Sequence, residues 1–249
     1  MRLLVQSKPR YLYSVVRPLL EFIYPPTCFV CEALMDGGES RVCPSCWSSV
    51  KHLTNGDTLY REMLERLTGQ PTSHISHLIS LYHFERDGAI QSIIHQLKYD
   101  SITSLGVELG RKLGEKLRDE FDGVHVDGII PVPLHPTKLR ERGYNQSEYI
   151  ARGIGQVTGL PVHASLLKRH KYTSSQTQLS AVERKENVGD AFTLHRRAKT
   201  DVEGKTFLIV DDVITTGATI EACAQALMES GAVSAFVGSV ALAEHSSLP

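Results

Sequence analysis

The sequence predicts an α/β protein: a mostly parallel sheet flanked by helices, fronted by a small four-cysteine zinc-binding ribbon. Three observations carry that expectation. Apolar strand-like runs alternate with helical spacings from Leu78 onward, two Cys-x-x-Cys pairs stand near the start, and one apolar run leads through two adjacent aspartates into a Thr-Thr-Gly-Ala-Thr turn. The composition agrees: among 249 residues, 27 Lys+Arg stand against 28 Asp+Glu, so any anion site is local rather than a property of the whole surface. Hydrophobic residues at 41% and charged residues at 22% describe a globular chain long enough to bury a core. The aromatic content of 7%, with a single Trp, argues against an aromatic-cage or sugar-stacking surface.

Taken in order, residues 1–27 read as an N-terminal helix, because Leu12, Val15, Val16, Leu19, Leu20 and Ile23 fall at helical spacing before Pro25-Pro26 stops the run. Arg2, Lys8, Arg10, Arg17 and Glu21 interrupt this segment, so neither a signal peptide nor a membrane span is expected and the chain reads as cytoplasmic. Residues 28–51 hold the cysteine cluster, and 52–77 form a linker with a helix. The main domain, 78–249, opens with a strand from Leu78 to Phe84. Helices follow around Ile90, Ile93, Ile94 and Leu97, and over Leu105–Leu117. A short strand, Val126 to Pro133, precedes helical Ile150 and Ile154. Thr206–Val210 then reads as a buried strand, Gly217–Met228 as a helix and Ala235–Ala243 as a last strand.

Cys28-Phe29-Val30-Cys31 and Cys43-Pro44-Ser45-Cys46 can each aim two thiolates at one metal, and two such turns complete an all-sulfur tetrahedron. A disulfide framework lacks a secretory context, and a redox pair needs no twin. Gly37-Gly38 between the pairs suits the turn of a ribbon. A closed shell has no open position, so this zinc is expected to be structural rather than catalytic. Cys223, alone in the last large helix, reads as a buried small hydrophobe.

In Phe207-Leu208-Ile209-Val210-Asp211-Asp212-Val213-Ile214-Thr215-Thr216-Gly217-Ala218-Thr219, an apolar strand leads to two acids, a hydroxyl-rich turn and a helix start. Unpaired turn amides and the positive end of the helix dipole suit a phosphate, the threonine hydroxyls add donors, and Gly217 permits close backbone approach. Two carboxylates beside an anion site must face something else, and ribose hydroxyls with Mg2+ nearby answer that need. A single cap would require one acid rather than two.

This stretch resembles the 5-phosphoribosyl-1-diphosphate (PRPP) signature of type I phosphoribosyltransferases. Taken with the cysteine module, Pro131-Val132-Pro133 and Arg140-Glu141-Arg142-Gly143-Tyr144-Asn145-Gln146, the chain looks like a member of the ComF/GntX family over nearly its whole length. The resemblance implies a type I phosphoribosyltransferase fold. It implies Asp211 and Asp212 as the ribose pair, and Thr215, Thr216, Gly217, Ala218 and Thr219 as the 5′-phosphate cradle. Cys28, Cys31, Cys43 and Cys46 become the zinc ligands, and the segment after Ile130 the pyrophosphate loop. Lys171 through Arg184 and Asn187 look like the mobile hood loop. Between Pro131 and Tyr172 the cations exceed the acids by five, which makes Lys138, Arg140, Arg142 and Lys171 candidates for pyrophosphate or DNA-phosphate contacts, joined by Arg184 from the hood-like segment.

The function implied is binding of PRPP or a related sugar phosphate with Mg2+, linked to DNA uptake in natural competence. Competence-machinery proteins and single-stranded DNA are then candidate partners, without membrane insertion. The alternative is a catalytically inactive module on the same fold that binds single-stranded DNA or a nucleotide. Catalysis by phosphoribosyl transfer would need charge stabilisation on the leaving pyrophosphate, and Pro131, Pro133 and Pro136 have no N–H to give, which shifts the burden to Val132, Leu134, Thr137 or nearby cations. Glutamine-dependent amidation is not expected, because the chain begins Met1-Arg2 and commits its early cysteines to metal.

Overall fold

The computed structural model describes residues 26–35, 40–69, 73–99, 102–120, 123–170, 191–195 and 201–244. The expected N-terminal helix, Gly37-Gly38 and the hood segment with Lys171 and Arg184 lie outside them.

Short helix α1 (Pro44–Ser48) belongs to the ribbon, and α2 (Thr58–Thr68) leads to the first strand, β1 (Ile75–Phe84). Helices α3 (Ala89–Tyr99) and α4 (Thr103–Glu120) cross to β2 (Gly128–Pro131). Then come α5 (Pro136–Arg142), α6 (Gln146–Thr158) and two three-residue strands, β3 (Leu167–Arg169) and β4 (Phe192–Leu194). The chain returns through β5 (Thr206–Ile214), α7 (Ala218–Met228) and β6 (Ser234–Ala243).

The main sheet has the order β1-β6-β5-β2, and all three pairings are parallel, as strand–helix alternation requires. The β3–β4 pair is a separate antiparallel ribbon that the apolar pattern did not reveal. Along β5, Phe207 and Ile209 join a core with α2 and α7, while Leu208 and Val210 join a second core with α3, α4 and α6. A strand buried on both faces is therefore apolar without alternation.

Helix α3 shows how the second core forms. Ile90, Ile93, Ile94 and Leu97 recur at spacings of three and four and are all buried, each stabilising by roughly 1.5–3 kcal/mol. Helices α4 and α6 cross so closely that glycine is required at the contact. A Cβ on Gly110 would stand 2.0 Å from the Ile150 carbonyl oxygen, and one on Gly153 would stand 2.3 Å from that of Val107. Gly110→Ala should therefore lower stability by about 1–3 kcal/mol in a urea titration, because the helices must part. An unchanged midpoint would contradict this packing.

Two differences from the sequence expectation bear on the site. Strand β1 begins three residues earlier than expected, at Ile75. Strand β5 does not stop at Val210 but pairs with β6 as far as Ile214 opposite Leu242, so both aspartates lie within the strand. Main-chain pairing against a fully formed neighbour overrides the poor strand propensity of aspartate. The described residues contain no helix long and apolar enough to cross a membrane.

Candidate functional site

Strands β2 and β5 are adjacent, so their carboxyl ends bring the proline segment and the acid pair together at the edge where ligands sit in open parallel sheets. The Val132 N–H extends this pairing by donating to the Val210 carbonyl at 2.9 Å. Asn145 caps α6, its Oδ1 accepting from the Ser147 N–H at 3.2 Å, and its Nδ2 donates to the Val132 carbonyl at 3.0 Å. The start of α6 is thereby fixed against both strand ends.

The two acids are identical in sequence and different in place. Asp212 is buried: its Oδ1 accepts from the Val213 N–H at 2.9 Å, and its Oδ2 forms an ion pair with Lys98 Nζ at 2.7 Å. Burial pushes its carboxyl up, but the Lys98 ammonium outweighs that and holds it below the ordinary range. Asp211 is only partly buried as a residue, and its Oδ1 accepts from Ser147 Oγ and from the Asp212 N–H, each at 2.9 Å. Burial, and then the charge of Asp212, push this carboxyl up to about 7. The two acids expected to form the ribose pair are thus held differently: Asp212 by Lys98, and Asp211 by Ser147 and the Asp212 N–H.

Past Ile214 the backbone turns through Thr215 and Thr216 to Gly217, whose φ of 82° is the left-handed conformation that favours glycine. Ala218 and Thr219 open α7, and among the described residues no N-cap side chain closes that helix. The one hydroxyl that reaches in is Thr216 Oγ1, 3.4 Å from the Ala218 nitrogen. Gly217 is also pressed against α2: a Cβ there would lie 2.7 Å from Leu67 Cδ2. The helix start therefore lacks a side-chain cap among the described residues, while glycine at 217 answers to the left-handed turn and to packing against Leu67.

The cations are dispersed. Lys138 and exposed Arg140 sit on α5, and Arg142 at its end donates through Nη1 to Gln146 Oε1 at 2.9 Å while its guanidinium lies 5.4 Å over the Tyr99 ring. Of the loop amides expected to serve, Val132 is spent on β5 and the Thr137 N–H donates to His135 Nδ1 at 3.2 Å, leaving Leu134. Lys98 and Ser147 are site residues that sequence reasoning missed. Ser147 directly follows the quoted Arg140–Gln146 run, whereas nothing local marks Lys98.

The Sγ atoms of Cys28, Cys31, Cys43 and Cys46 all lie within 4.8 Å of one another, with 3.8 Å between Cys31 and Cys43. A tetrahedron with Zn–S near 2.3 Å has edges of about 3.8 Å, so the donor set fits zinc. Burial pushes the Cys28 thiol up, but the backbone N–H groups of Cys43, Cys31 and Val30 overcome it and bring the thiol down to about 6. The ribbon is welded to the domain. Trp47 Nε1 lies 3.4 Å from Ser40 Oγ, which donates to Glu108 Oε1 at 3.3 Å, and Lys112 Nζ sits 4.7 Å from the Trp47 ring.

Comparison with known proteins defines the class: residues 148–248 match the phosphoribosyl transferase domain, and residues 19–57 match the double zinc ribbon domain. The fold is that of type I phosphoribosyltransferases with an N-terminal four-cysteine zinc ribbon, and the zinc is structural. The chain is similar to proteins named DNA utilization protein YhgH and competence protein F. It is 33% identical over 143 residues to the DNA utilization protein YhgH of Salmonella typhimurium, covering 56% of this chain and 61% of that one, so the alignment spans under two thirds of that relative. It is 26% identical over 213 residues to competence protein F of Haemophilus influenzae, covering 82% and 91%. Among solved structures, the glutamine PRPP amidotransferase from B. subtilis complexed with ADP and GMP aligns with a TM-score of 0.38 at 24% identity, covering 58% of this chain and 30% of that one.

Proposed function

We propose that the chain binds PRPP, or a closely related sugar phosphate, with Mg2+ at the junction of β5 and α7. The 5′-phosphate sits on the amides of Thr216 to Thr219 and on the Thr215, Thr216 and Thr219 hydroxyls, and the ribose hydroxyls face Asp211. The observation that carries this reading is the conjunction of a helix start without a side-chain cap, behind a left-handed Gly217, with a partly buried acid at the end of the same strand. Asp212 acts by holding the strand end through Lys98 rather than by touching the sugar. Mg2+ would arrive on the diphosphate, supplying charge neutralisation there.

Binding is favoured over turnover, because prolines and the committed Val132 and Thr137 amides leave little to stabilise a departing pyrophosphate. The names of the Salmonella and Haemophilus relatives, DNA utilization protein and competence protein F, support a role in handling DNA.

Calorimetric titration with PRPP and Mg2+ tests the reading. The expected result is one site per chain, with affinity falling about 10- to 100-fold in Asp211→Asn, the loss of charge-assisted hydrogen bonds worth about 1.5–3 kcal/mol. Absence of binding, or an unaffected variant, would refute it. The pH dependence has a definite sign. Binding that uses the Asp211 carboxylate tightens as pH rises through about 7. Without ligand the sign reverses: a carboxyl raised from 3.8 to about 7 holds its proton more tightly folded than unfolded, so the free fold loses stability as pH rises from about 4 to 7 and stays less stable above that.

A further inference from the structure

The four cysteines that fit zinc are not equally sheltered. Cys28 and Cys46 are buried, whereas Cys31 is exposed and Cys43 is half-buried. Amides reinforce the contrast. Cys28 Sγ accepts from the Val30 and Cys43 N–H groups at 3.4 and 3.3 Å, and Cys43 Sγ from the Cys46 N–H at 3.4 Å. Among the described residues no backbone N–H donates to Cys31 Sγ, whose contact is with Cys43 Sγ. An amide bonded to a thiolate draws off electron density, and burial keeps reagents away, so both effects leave Cys31 as the sulfur most open to an oxidant.

A reactive thiolate becomes a reversible redox site when a second thiol stands within reach. Cys43 Sγ lies 3.8 Å from Cys31 Sγ, and it is the most accessible of the other three ligands. The two belong to different Cys-x-x-Cys turns, which the main chain holds in place: the Cys28 N–H donates to Ala33 O at 2.8 Å and the Phe29 N–H to Arg41 O at 3.0 Å. A bond between Cys31 and Cys43 therefore joins sulfurs that are already neighbours. Cys223, fully buried in α7, provides an internal reference thiol.

We propose that Cys31 and Cys43 form an oxidant-sensitive pair that reacts with hydrogen peroxide and thereby releases zinc. The Cys31 thiolate attacks one peroxide oxygen, the O–O bond breaks and hydroxide leaves, giving a sulfenic acid. The Cys43 thiolate then attacks the Cys31 sulfur, the S–O bond breaks, a second hydroxide leaves and the disulfide forms. Two thiolates have then given up two electrons, and one peroxide has become two hydroxides. Only two of the four donors remain for the metal, and a dithiol reductant restores the others. The effect reaches the main domain, since Trp47 beside Cys46 lies 6.2 Å from the Tyr82 ring on β1 and Ser40 donates to Glu108 on α4. The proposal is independent of sugar-phosphate binding.

The test exposes the zinc-loaded full chain to hydrogen peroxide, measures the zinc kept per chain after desalting, and maps disulfides by mass spectrometry of unreduced peptides. Wild type should lose its zinc and the mass of two hydrogens, and show a cross-link between Cys31 and Cys43 with Cys223 still a free thiol. Dithiothreitol with added zinc should restore the metal. Cys31→His puts a nitrogen ligand in place of the exposed sulfur, so this variant should keep its zinc under the same exposure. Cys43→His should instead let the Cys31 sulfenic acid accumulate, where dimedone traps it. Should a variant fail to take up zinc, the wild-type peptide map still decides. Zinc retained by wild type while glutathione in the same tube is oxidised would overturn the proposal. So would a cross-link between any other pair of cysteines, or sulfinic acid at Cys31 with no cross-link.

Discussion

Removing zinc with a chelator should unfold the ribbon and shift the emission of Trp47, the single tryptophan, to the red. The ribbon's own apolar contribution is small: among the described residues Cys28, Val42, Cys46 and Val50 are its buried ones, and two of these are metal ligands. So few side chains cannot hold a fold without the metal, whose binding in comparable small modules contributes on the order of 10–16 kcal/mol. Trp47 reports the event directly, since it neighbours Cys46 and its ring lies 6.2 Å from that of Tyr82 on β1. The segment behind the ribbon should stay attached, because the Leu53 N–H donates to Leu81 O at 2.8 Å and the His83 N–H to Lys51 O at 3.0 Å. The sheet is therefore expected to remain folded but less stable, having lost the cover on Tyr82. Cys43→Ser should reproduce the change without chelator. Unshifted Trp47 emission after metal loss has been verified by mass spectrometry would contradict this account.

Replacing Lys98 by Met should be the most damaging single substitution at the site. Asp212 has a side chain only 6% exposed, and without the ammonium its charge is stranded. Breaking a buried pair by removing one partner costs about 3–5 kcal/mol, less whatever the carboxyl recovers by taking up a proton. That recovery gives the prediction its signature in pH. In the intact chain the lowered Asp212 value contributes stability above the ordinary carboxylate range, lost only as pH falls through its folded value. In Lys98→Met burial, the largest influence, is opposed only by the hydrogen bonds from Asp211 and the Val213 N–H and raises the value, so the variant is worst at high pH and regains stability on acidification. Urea titrations of both proteins at pH 8 and pH 5 should show a stability gap that narrows at the lower pH. A gap of equal size at both would mean that Lys98 matters through its methylenes rather than its charge.

How much of this was legible in the sequence depends on the range over which each feature is encoded. The ribbon is local, since two Cys-x-x-Cys turns specify both the metal and its shell, and the Sγ atoms converge as that spacing demands. The strand–turn–helix around Asp211 to Thr219 is local too, and its left-handed turn falls on the one residue that adopts it freely. The extension of β5 to Ile214 is not local: it follows from pairing with β6, which no window around the aspartates contains. The unequal fates of Asp211 and Asp212 depend on Ser147 and Lys98, which come from other helices, Ser147 standing 64 positions away in sequence. The close crossing of α4 and α6 that brings Ser147 into place is written in glycines that have no distinctive local pattern.

A crystal of the chain soaked with PRPP and Mg2+ measures the central claim most directly. The account predicts density for a 5′-phosphate within hydrogen-bonding distance of the Thr216 to Thr219 amides and a ribose diol on the Asp211 carboxylate, with Lys98 still paired to Asp212. Sugar-phosphate density elsewhere on the chain, or a ribose held by Asp212 with Lys98 displaced, would contradict it.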